Sequence, residues 1–236
     1  MNLVVDFGNT FIKAALFEDS HLKQSFYDIS DADLKLVEKE HSPNKILVSS
    51  VSKNKEDIQD LFQTSKILYL ENGLPLPFQI DYKTPQTLGL DRVAAVAGAQ
   101  EFFPNENALV IDMGTCITYD FIDANSVYHG GGISPGMQMR FKALHNFTAK
   151  LPLIEPEEHV ELIGQSTKES ILSGIIYGIS AEIDGIIRMY NDKCAHLRII
   201  ICGGDAKFFE NRLKAGIFAA PELVLMGLNR ILLYNA

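Results

Sequence analysis

Residues 3–8 read Leu-Val-Val-Asp-Phe-Gly, and residues 109–114 read Leu-Val-Ile-Asp-Met-Gly. Each is a short apolar run, rich in β-branched side chains, that stops at Asp-x-Gly; this is the pattern of a buried strand with a carboxylate at its end. Glycine permits a close turn there. Asn9-Thr10 in the first segment and Thr115-Cys116 in the second add side chains able to hydrogen-bond the local backbone or a ligand. Both segments re-enter apolar sequence, through Ile12, Ala14, Leu16 and Phe17 in one and Ile117, Tyr119, Phe121 and Ile122 in the other. One copy alone fits a plain β-hairpin as well as it fits a ligand loop. Asp112, however, follows Asp6 by 106 residues in a chain of 236, close to half its length, so the simplest account is one unit per half.

The remaining sequence alternates between the two periodicities. Residues 45–51, 66–70 and 197–202 read as strands, and 54–63 as a short polar helix. A helix is expected from Leu90 to Phe103, with Leu90, Val93, Ala94 and Ala97 on one face. Residues 166–190 predict the longest helix: Ser166 and Glu169 form a capping box, and Ile171, Leu172, Ile175, Ile176, Ile179, Ile183, Ile186 and Ile187 repeat at helical spacing. Pro221 is expected to open a last helix with Leu223, Met226, Leu228 and Ile231 inward. Residues 73–88, with their prolines and glycines, and the Gly130-Gly131-Gly132 run read as loops. The fold predicted is α/β, with two related domains, 1–105 and 106–236, facing across a cleft.

Composition narrows the function. Hydrophobic residues make up 47% and charged residues 22%, ordinary values for a folded protein. With 21 basic against 30 acidic residues the net charge is −9, which argues against a nucleic-acid backbone as partner. A small anion then needs a local site made of backbone N–H groups, a lysine or a metal. The opening Met-Asn-Leu-Val-Val-Asp lacks a basic n-region, so no signal peptide is expected, and no apolar stretch is read as approaching the ~18 residues of a membrane span. Three cysteines (116, 194, 202), none in a C-x-x-C pair, and six scattered histidines indicate neither a disulfide framework nor a zinc site; a reducing cytoplasm is the expected setting.

Several short motifs can carry chemistry. In Asp6-Phe7-Gly8-Asn9-Thr10-Phe11-Ile12-Lys13, a glycine turn exposes backbone N–H groups while Asn9, Thr10 and Lys13 add donors, a set suited to phosphate oxygens. Asp6 can hold a divalent cation directly or through water. Neither a P-loop nor a dinucleotide fingerprint occurs. The second copy offers Asp112, Gly114, Thr115 and Thr118. Two carboxylates around one phosphate repel it unless cations sit between, so cations are expected. Gly89-Leu90-Asp91-Arg92 opens a helix. Taken alone, Asp91 needs no more than the helix dipole to explain it; the functional reading is a base or substrate-orienting carboxylate with Arg92 gripping an anion. Gly131-Gly132, Pro135-Gly136 and Gly203-Gly204-Asp205 are glycine-rich, the last beyond the end of an apolar strand, where ligands collect in open α/β sheets. Thr167 is either a plain first-turn residue or a donor to a ligand at that helix end.

In order, Asp6-x-Gly8-Asn9-Thr10-x-x-Lys13, Gly89-x-Asp91-Arg92, Asp112-x-Gly114-Thr115, Gly131-Gly132-x-x-Pro135-Gly136 and Gly203-Gly204-Asp205 resemble the type III pantothenate kinase family over nearly the whole chain. The resemblance implies the duplicated, ribonuclease H-like fold of the acetate and sugar kinase, heat-shock 70 and actin superfamily. It implies ATP-dependent phosphorylation of pantothenate at its terminal hydroxyl, in the first step of coenzyme A synthesis, with Mg²⁺ and a K⁺ or NH₄⁺ ion, in a cytoplasmic homodimer. Position by position, it implies that Asp6 to Lys13 bind ATP, with Thr115 a further ATP contact, and that Asp91 accepts the proton. Tyr82, Gly89 to Arg92 and Thr167 would bind pantothenate, and Asp112 the monovalent cation. Cys116 departs from the family pattern, where alanine is usual. A catalytically silent nucleotide-binding regulator would lack Asp91, Asp6 or Asp112, and all three are present. A kinase for another small alcohol is opposed only by Tyr82, Arg92 and Thr167.

Overall fold

The computed structural model describes residues 1–8, 10–62, 66–214 and 216–236. In chain order the elements are β1 (Asn2–Phe7), β2 (Ile12–Glu18), β3 (His21–Tyr27), α1 (Asp31–His41), β4 (Lys45–Ser50), α2 (Lys55–Gln59), β5 (Ile67–Tyr69), β6 (Gln79–Ile80) and α3 (Leu90–Phe102). There follow β7 (Asn107–Met113), β8 (Cys116–Ile122), β9 (Val127–Pro135), α4 (Met137–Asn146), α5 (Thr167–Asn191), β10 (Leu197–Cys202), α6 (Ala206–Glu210), β11 (Phe218–Ala219) and α7 (Leu223–Tyr234). They gather into two compact units. The first holds Met1–Asn105, Ile122–His129 and Glu222–Ala236, and the second Glu106–Phe121 and Gly130–Pro221.

In the first unit the sheet order is β3-β2-β1-β4-β5. β1 runs antiparallel to β2 and parallel to β4. It is central, which is why its apolar run has no polar alternation: Leu3, Val4, Val5 and Phe7 are all fully buried. One sheet face packs Leu3, Val5, Phe7, Ala14, Ile46 and Val48 against Leu34 and Val37 of α1. Each of these side chains except that of Ala14 contributes roughly 1.5–3 kcal/mol through burial. The other face is covered by α7, the last helix of the chain, which packs on β1, β2 and β4 and most extensively on α3. Two glycines allow the α3–α7 crossing: a Cβ at Gly227 would stand 1.7 Å from the Ala94 carbonyl oxygen, and one at Gly98 2.3 Å from that of Leu223. Asn229 of α7 completes the packing with hydrogen bonds to Asn2 at 3.1 Å and to the Asp19 carbonyl at 2.8 Å.

In the second unit β7 pairs parallel with β10, and β10 with β11; β8 and β9 extend the sheet on the other side of β7. The isoleucine face of α5 forms the core with Leu109, Ile111 and Met113 of β7, Ile199 and Ile201 of β10, and Phe209. A half-buried polar knot ties four elements together. Tyr119 of β8 donates to Glu182 of α5 at 2.8 Å, and Arg140 of α4 donates to Glu182 at 2.6 Å and to Ser134 of β9 at 2.9 Å.

Several expectations are corrected here. The 130–132 glycine run is not a loop but the middle of β9, and a Cβ at Gly131 would lie 1.7 Å from the Tyr119 carbonyl of the neighbouring strand. Residues 73–88 contain β6 and a short 3-10 turn at Pro85–Thr87. The polar helix ends at Gln59, and Pro221 precedes the last helix, whose N-cap is Glu222. By length and composition α5 does qualify as a membrane span; its apolar residues are instead those of the second unit's core, with Ile179 and Ile183 fully buried.

Candidate active site

In the first unit three neighbouring strands place three side chains in one row. Asp6 on β1 pairs with Lys13 on β2 and with Ser49 on β4. Residues in register on adjacent strands project to the same face, so the row reads Lys13–Asp6–Ser49. Burial pushes the Asp6 carboxyl up to about 6; Lys13 and the Ser49 hydroxyl pull against that rise, and the Asp91 carboxylate adds to it. Asp91 is therefore an electrostatic neighbour of Asp6. Ser49 is 1% exposed and was not foreseen; the signal was available in Ser49-Ser50, two hydroxyls ending an otherwise apolar strand.

The first turn of α3 explains its own motif. Asp91 Oδ1 accepts a hydrogen bond from the Arg92 backbone N–H at 2.9 Å, and the N-cap Gly89 makes no side-chain cap. A Cβ at position 89 would lie 2.5 Å from Asp91 Oδ1, so the Gly-x-Asp spacing preserves room for that carboxylate. Asp91 is exposed while Arg92 is buried at 6% exposure. Leu90 is half-buried. Upstream, Tyr82 is half-buried and stacks on fully buried Tyr128, with ring centroids 6.4 Å apart. In the turn after β1, Gly8 is half-buried, Thr10 and Phe11 are exposed, and Ile12 opens β2. A Cβ at Gly8 would come within 3.1 Å of the Phe11 carbonyl, a close turn of the kind expected. Asn9 lies outside the described residues.

The second unit repeats the strand-end carboxylate with different surroundings. Asp112 sits on β7 opposite Cys202 of β10. Gly203, at φ +91°, passes so near that a Cβ would be 2.4 Å from Asp112 Oδ1. The backbone is tied there by Asp205 N–H donating to the Met113 carbonyl at 2.9 Å and Gly114 N–H to the Cys116 carbonyl at 3.0 Å. Gly136 closes on the same turn, since a Cβ there would be 2.3 Å from the Gly114 carbonyl. Gly114 and Gly203 thus flank one carboxylate, and Gly136 packs on the turn that follows it. Thr115 is exposed beside it; Thr118 turns away to Asp120 at 3.0 Å. Burial holds the Asp205 carboxyl above the usual carboxylate range. Thr167 is the exposed first residue of α5, behind the Ser166 cap, whose Oγ accepts from the Glu169 N–H at 3.2 Å. Glu169 reaches back to the Gln165 N–H at 2.7 Å, one residue beyond the expected capping-box partner.

Among the described residues no three His, Cys, Asp or Glu side chains converge on a metal position.

Comparison with known proteins identifies the relatives of this arrangement. Residues 2–189 match the family described as type III pantothenate kinase. A type III pantothenate kinase of Christiangramia forsetii is 47% identical over 240 residues, covering 100% of this chain and 99% of that protein. Among solved structures, a Campylobacter jejuni protein described as a Baf family transcriptional activator superposes with a TM-score of 0.67 at 24% identity, covering 99% of this chain and 98% of that one. A Listeria monocytogenes protein described as an N-acetylmannosamine kinase superposes with a TM-score of 0.54 at 13% identity, covering 99% of each. The structural likenesses establish the fold, a duplicated actin-like α/β architecture.

Proposed function

Because this chain belongs to the type III pantothenate kinase family, ATP-dependent kinases of coenzyme A synthesis, we propose that Asp91 is the proton acceptor when the terminal hydroxyl of pantothenate attacks the γ-phosphate of ATP. The observation that carries this reading is the convergence of Asp91, Asp6 and Lys13 in one unit, with Asp91 free to reach solvent and its room guarded by Gly89.

In the transfer, the hydroxyl oxygen forms a bond to the γ-phosphorus, the bond from that phosphorus to the β,γ-bridging oxygen breaks, ADP leaves, and the hydroxyl proton passes to Asp91. A carboxylate is far too weak a base to ionise an alcohol in advance. Asp91 therefore acts as the transition state forms, chiefly by orienting the hydroxyl. Most of the acceleration comes from positioning and charge neutralisation. Asp6, Phe7, Gly8, Asn9, Thr10, Phe11, Ile12 and Lys13 are proposed to bind ATP, with Thr115 a further contact. Tyr82, Gly89, Leu90, Arg92 and Thr167 are proposed to bind pantothenate.

Two ions fit the residues present. Asp6 is a hard oxygen donor whose negative charge is disfavoured by burial and by Asp91, and a divalent cation relieves both; Asp6 would hold Mg²⁺. Asp112 lies in a cradle that a Cβ at Gly203 would fill, and would hold K⁺ or NH₄⁺. Bound there, the ions supply positive charge to the phosphates.

The division of the sequence at 105/106 is retained as the proposed boundary of the duplicated units. A homodimer is proposed through α5, where Gly174, Gly178 and Gly185 have open space at their Cβ positions beside exposed Tyr177 and Ala181, and a cytoplasmic setting accompanies it. Light scattering tests the dimer: Gly178→Arg is expected to give a monomer. For the reaction, ADP release from ATP and Mg²⁺ is measured with and without pantothenate, in K⁺ and again in Na⁺. Turnover requiring pantothenate and K⁺ supports the proposal. Turnover indifferent to K⁺ removes the role of Asp112, and no turnover with pantothenate removes the substrate.

A further inference from the structure

β4 ends in two hydroxyls, Ser49 and Ser50, and they are used differently. Ser50 serves its own turn: its Oγ accepts from the Lys53 N–H at 2.9 Å and donates to the Lys53 carbonyl at 2.8 Å. Ser49 is 1% exposed, and its Oγ completes a hydrogen bond with no group among the described residues. A hydroxyl shut away from water with its bonding unspent is a standing cost to the fold. An orphan of this kind calls for a reason outside the packing.

The group beside it is Asp6. The two residues pair in register on adjacent parallel strands and so share a face of the sheet. The Ser49 hydroxyl stands near enough to favour the Asp6 anion, against the burial that disfavours it. From β2, Lys13 pairs with Asp6 on the other side, but it is half-buried and carries its charge on a flexible four-carbon stem. Serine reaches its oxygen through one rotatable bond, and β4 lies between β1 and β5. Of the two donors in the row, Ser49 is therefore the fixed one. A strand of this kind does not itself require a hydroxyl there: the corresponding place beside Asp112 carries Cys202, whose thiol is a weak donor.

We propose that Ser49 is a positioning residue of the cation site: it donates its O–H to the ionised Asp6 carboxylate and fixes the arrangement in which Asp6 meets a divalent cation. This rests on the reading of Asp6 as the residue that holds Mg²⁺. Carboxylates that ligate metals are themselves held by hydrogen bonds, and losing such a partner costs about 10–100-fold in metal affinity or activity. The effect therefore belongs to the cation-dependent part of nucleotide binding and not to pantothenate.

The test measures by calorimetry the affinity for a non-hydrolysable ATP analogue, once with Mg²⁺ and once with EDTA. It compares the wild type with Ser49→Ala, Ser49→Thr and Asp6→Asn, and thermal melting follows their folding. In Ser49→Ala the gain in affinity from Mg²⁺ is expected to shrink about tenfold, with little change in the EDTA value. Its melting temperature is expected to hold, since the hydroxyl removed had completed no hydrogen bond. Ser49→Thr, which keeps a hydroxyl, is expected to retain the wild-type gain. In turnover, half-saturating Mg²⁺ is expected to rise about tenfold in Ser49→Ala while the KM for pantothenate stays put. A folded Ser49→Ala variant with the wild-type gain overturns the proposal. So does an equal loss of affinity with Mg²⁺ and with EDTA, which marks a purely structural role. Asp6→Asn separates the proposal from its premise. If that variant loses the gain while Ser49→Ala keeps it, only the role of Ser49 is wrong. If Asp6→Asn keeps the gain, Asp6 does not hold the ion, and the proposal falls with it.

Discussion

Asp6 and Asp112 end strands of nearly the same sequence, yet their neighbours differ. Beside Asp6 the adjacent parallel strand offers a side chain, the buried hydroxyl of Ser49, and the antiparallel partner offers Lys13. Beside Asp112 the adjacent parallel strand offers Cys202 and then a left-handed glycine, Gly203, whose backbone moves in where a side chain would stand. A duplicated motif thus supplies a carboxylate at a strand end, and the neighbouring strand decides its surroundings. The first is flanked by another carboxylate, Asp91, and is hard to ionise; the second is flanked by Gly114 and Gly203.

The largest expected effect falls on the glycine side. Gly203→Ala puts a Cβ 2.4 Å from Asp112 Oδ1 in a backbone conformation at φ +91°, so a loss of about 2–4 kcal/mol is expected in denaturant unfolding. Ser49→Ala, at the corresponding place beside Asp6, removes a hydroxyl without a clash, and is expected to cost clearly less. Equal losses would break the contrast.

Asp6→Asn sharpens it by pH. In the metal-free protein the Asp6 carboxyl is raised from 3.8 to about 6, so the folded state holds its proton where the unfolded state has lost it. Stability from this group is therefore full below about pH 4 and falls as the pH climbs to about 6, by up to roughly 3 kcal/mol. Asp6→Asn is expected to abolish that fall and to melt higher than the wild type at neutral pH while losing activity. Urea unfolding at several pH values checks this, and an unchanged pH slope would contradict it. A smaller effect is expected for Gly8→Ala, whose Cβ meets the Phe11 carbonyl at 3.1 Å: about 1 kcal/mol, read from the urea midpoint. Asp112→Asn is expected to leave folding nearly intact and to erase the difference between K⁺ and Na⁺ in turnover; a preserved preference for K⁺ would remove the cation from Asp112.

The legible parts of the molecule were those whose cause is local. Asp6-x-Gly8 and Asp112-x-Gly114 end buried strands that announce themselves by unbroken apolar runs. Gly89-x-Asp91 owes its glycine to a carboxylate two residues away, and the α5 periodicity is complete within one helix. What stayed hidden depends on a distant neighbour. Gly131 looks like a loop residue because the Tyr119 carbonyl that excludes a side chain lies on another strand. β6 is only two residues long and is a strand only because β9 lies beside it. α1 escaped notice because its charged residues leave just Leu34, Val37 and Glu38 buried. Ser49 gains meaning only from its register with Asp6.

The most direct test of the central claim is the kinetics of Asp91→Asn against the wild type, with ATP binding followed in parallel by calorimetry. The account predicts that kcat falls by about 10²–10⁴-fold while ATP affinity changes little. A folded Asp91→Asn enzyme with near-normal kcat would contradict it and remove Asp91 as the proton acceptor.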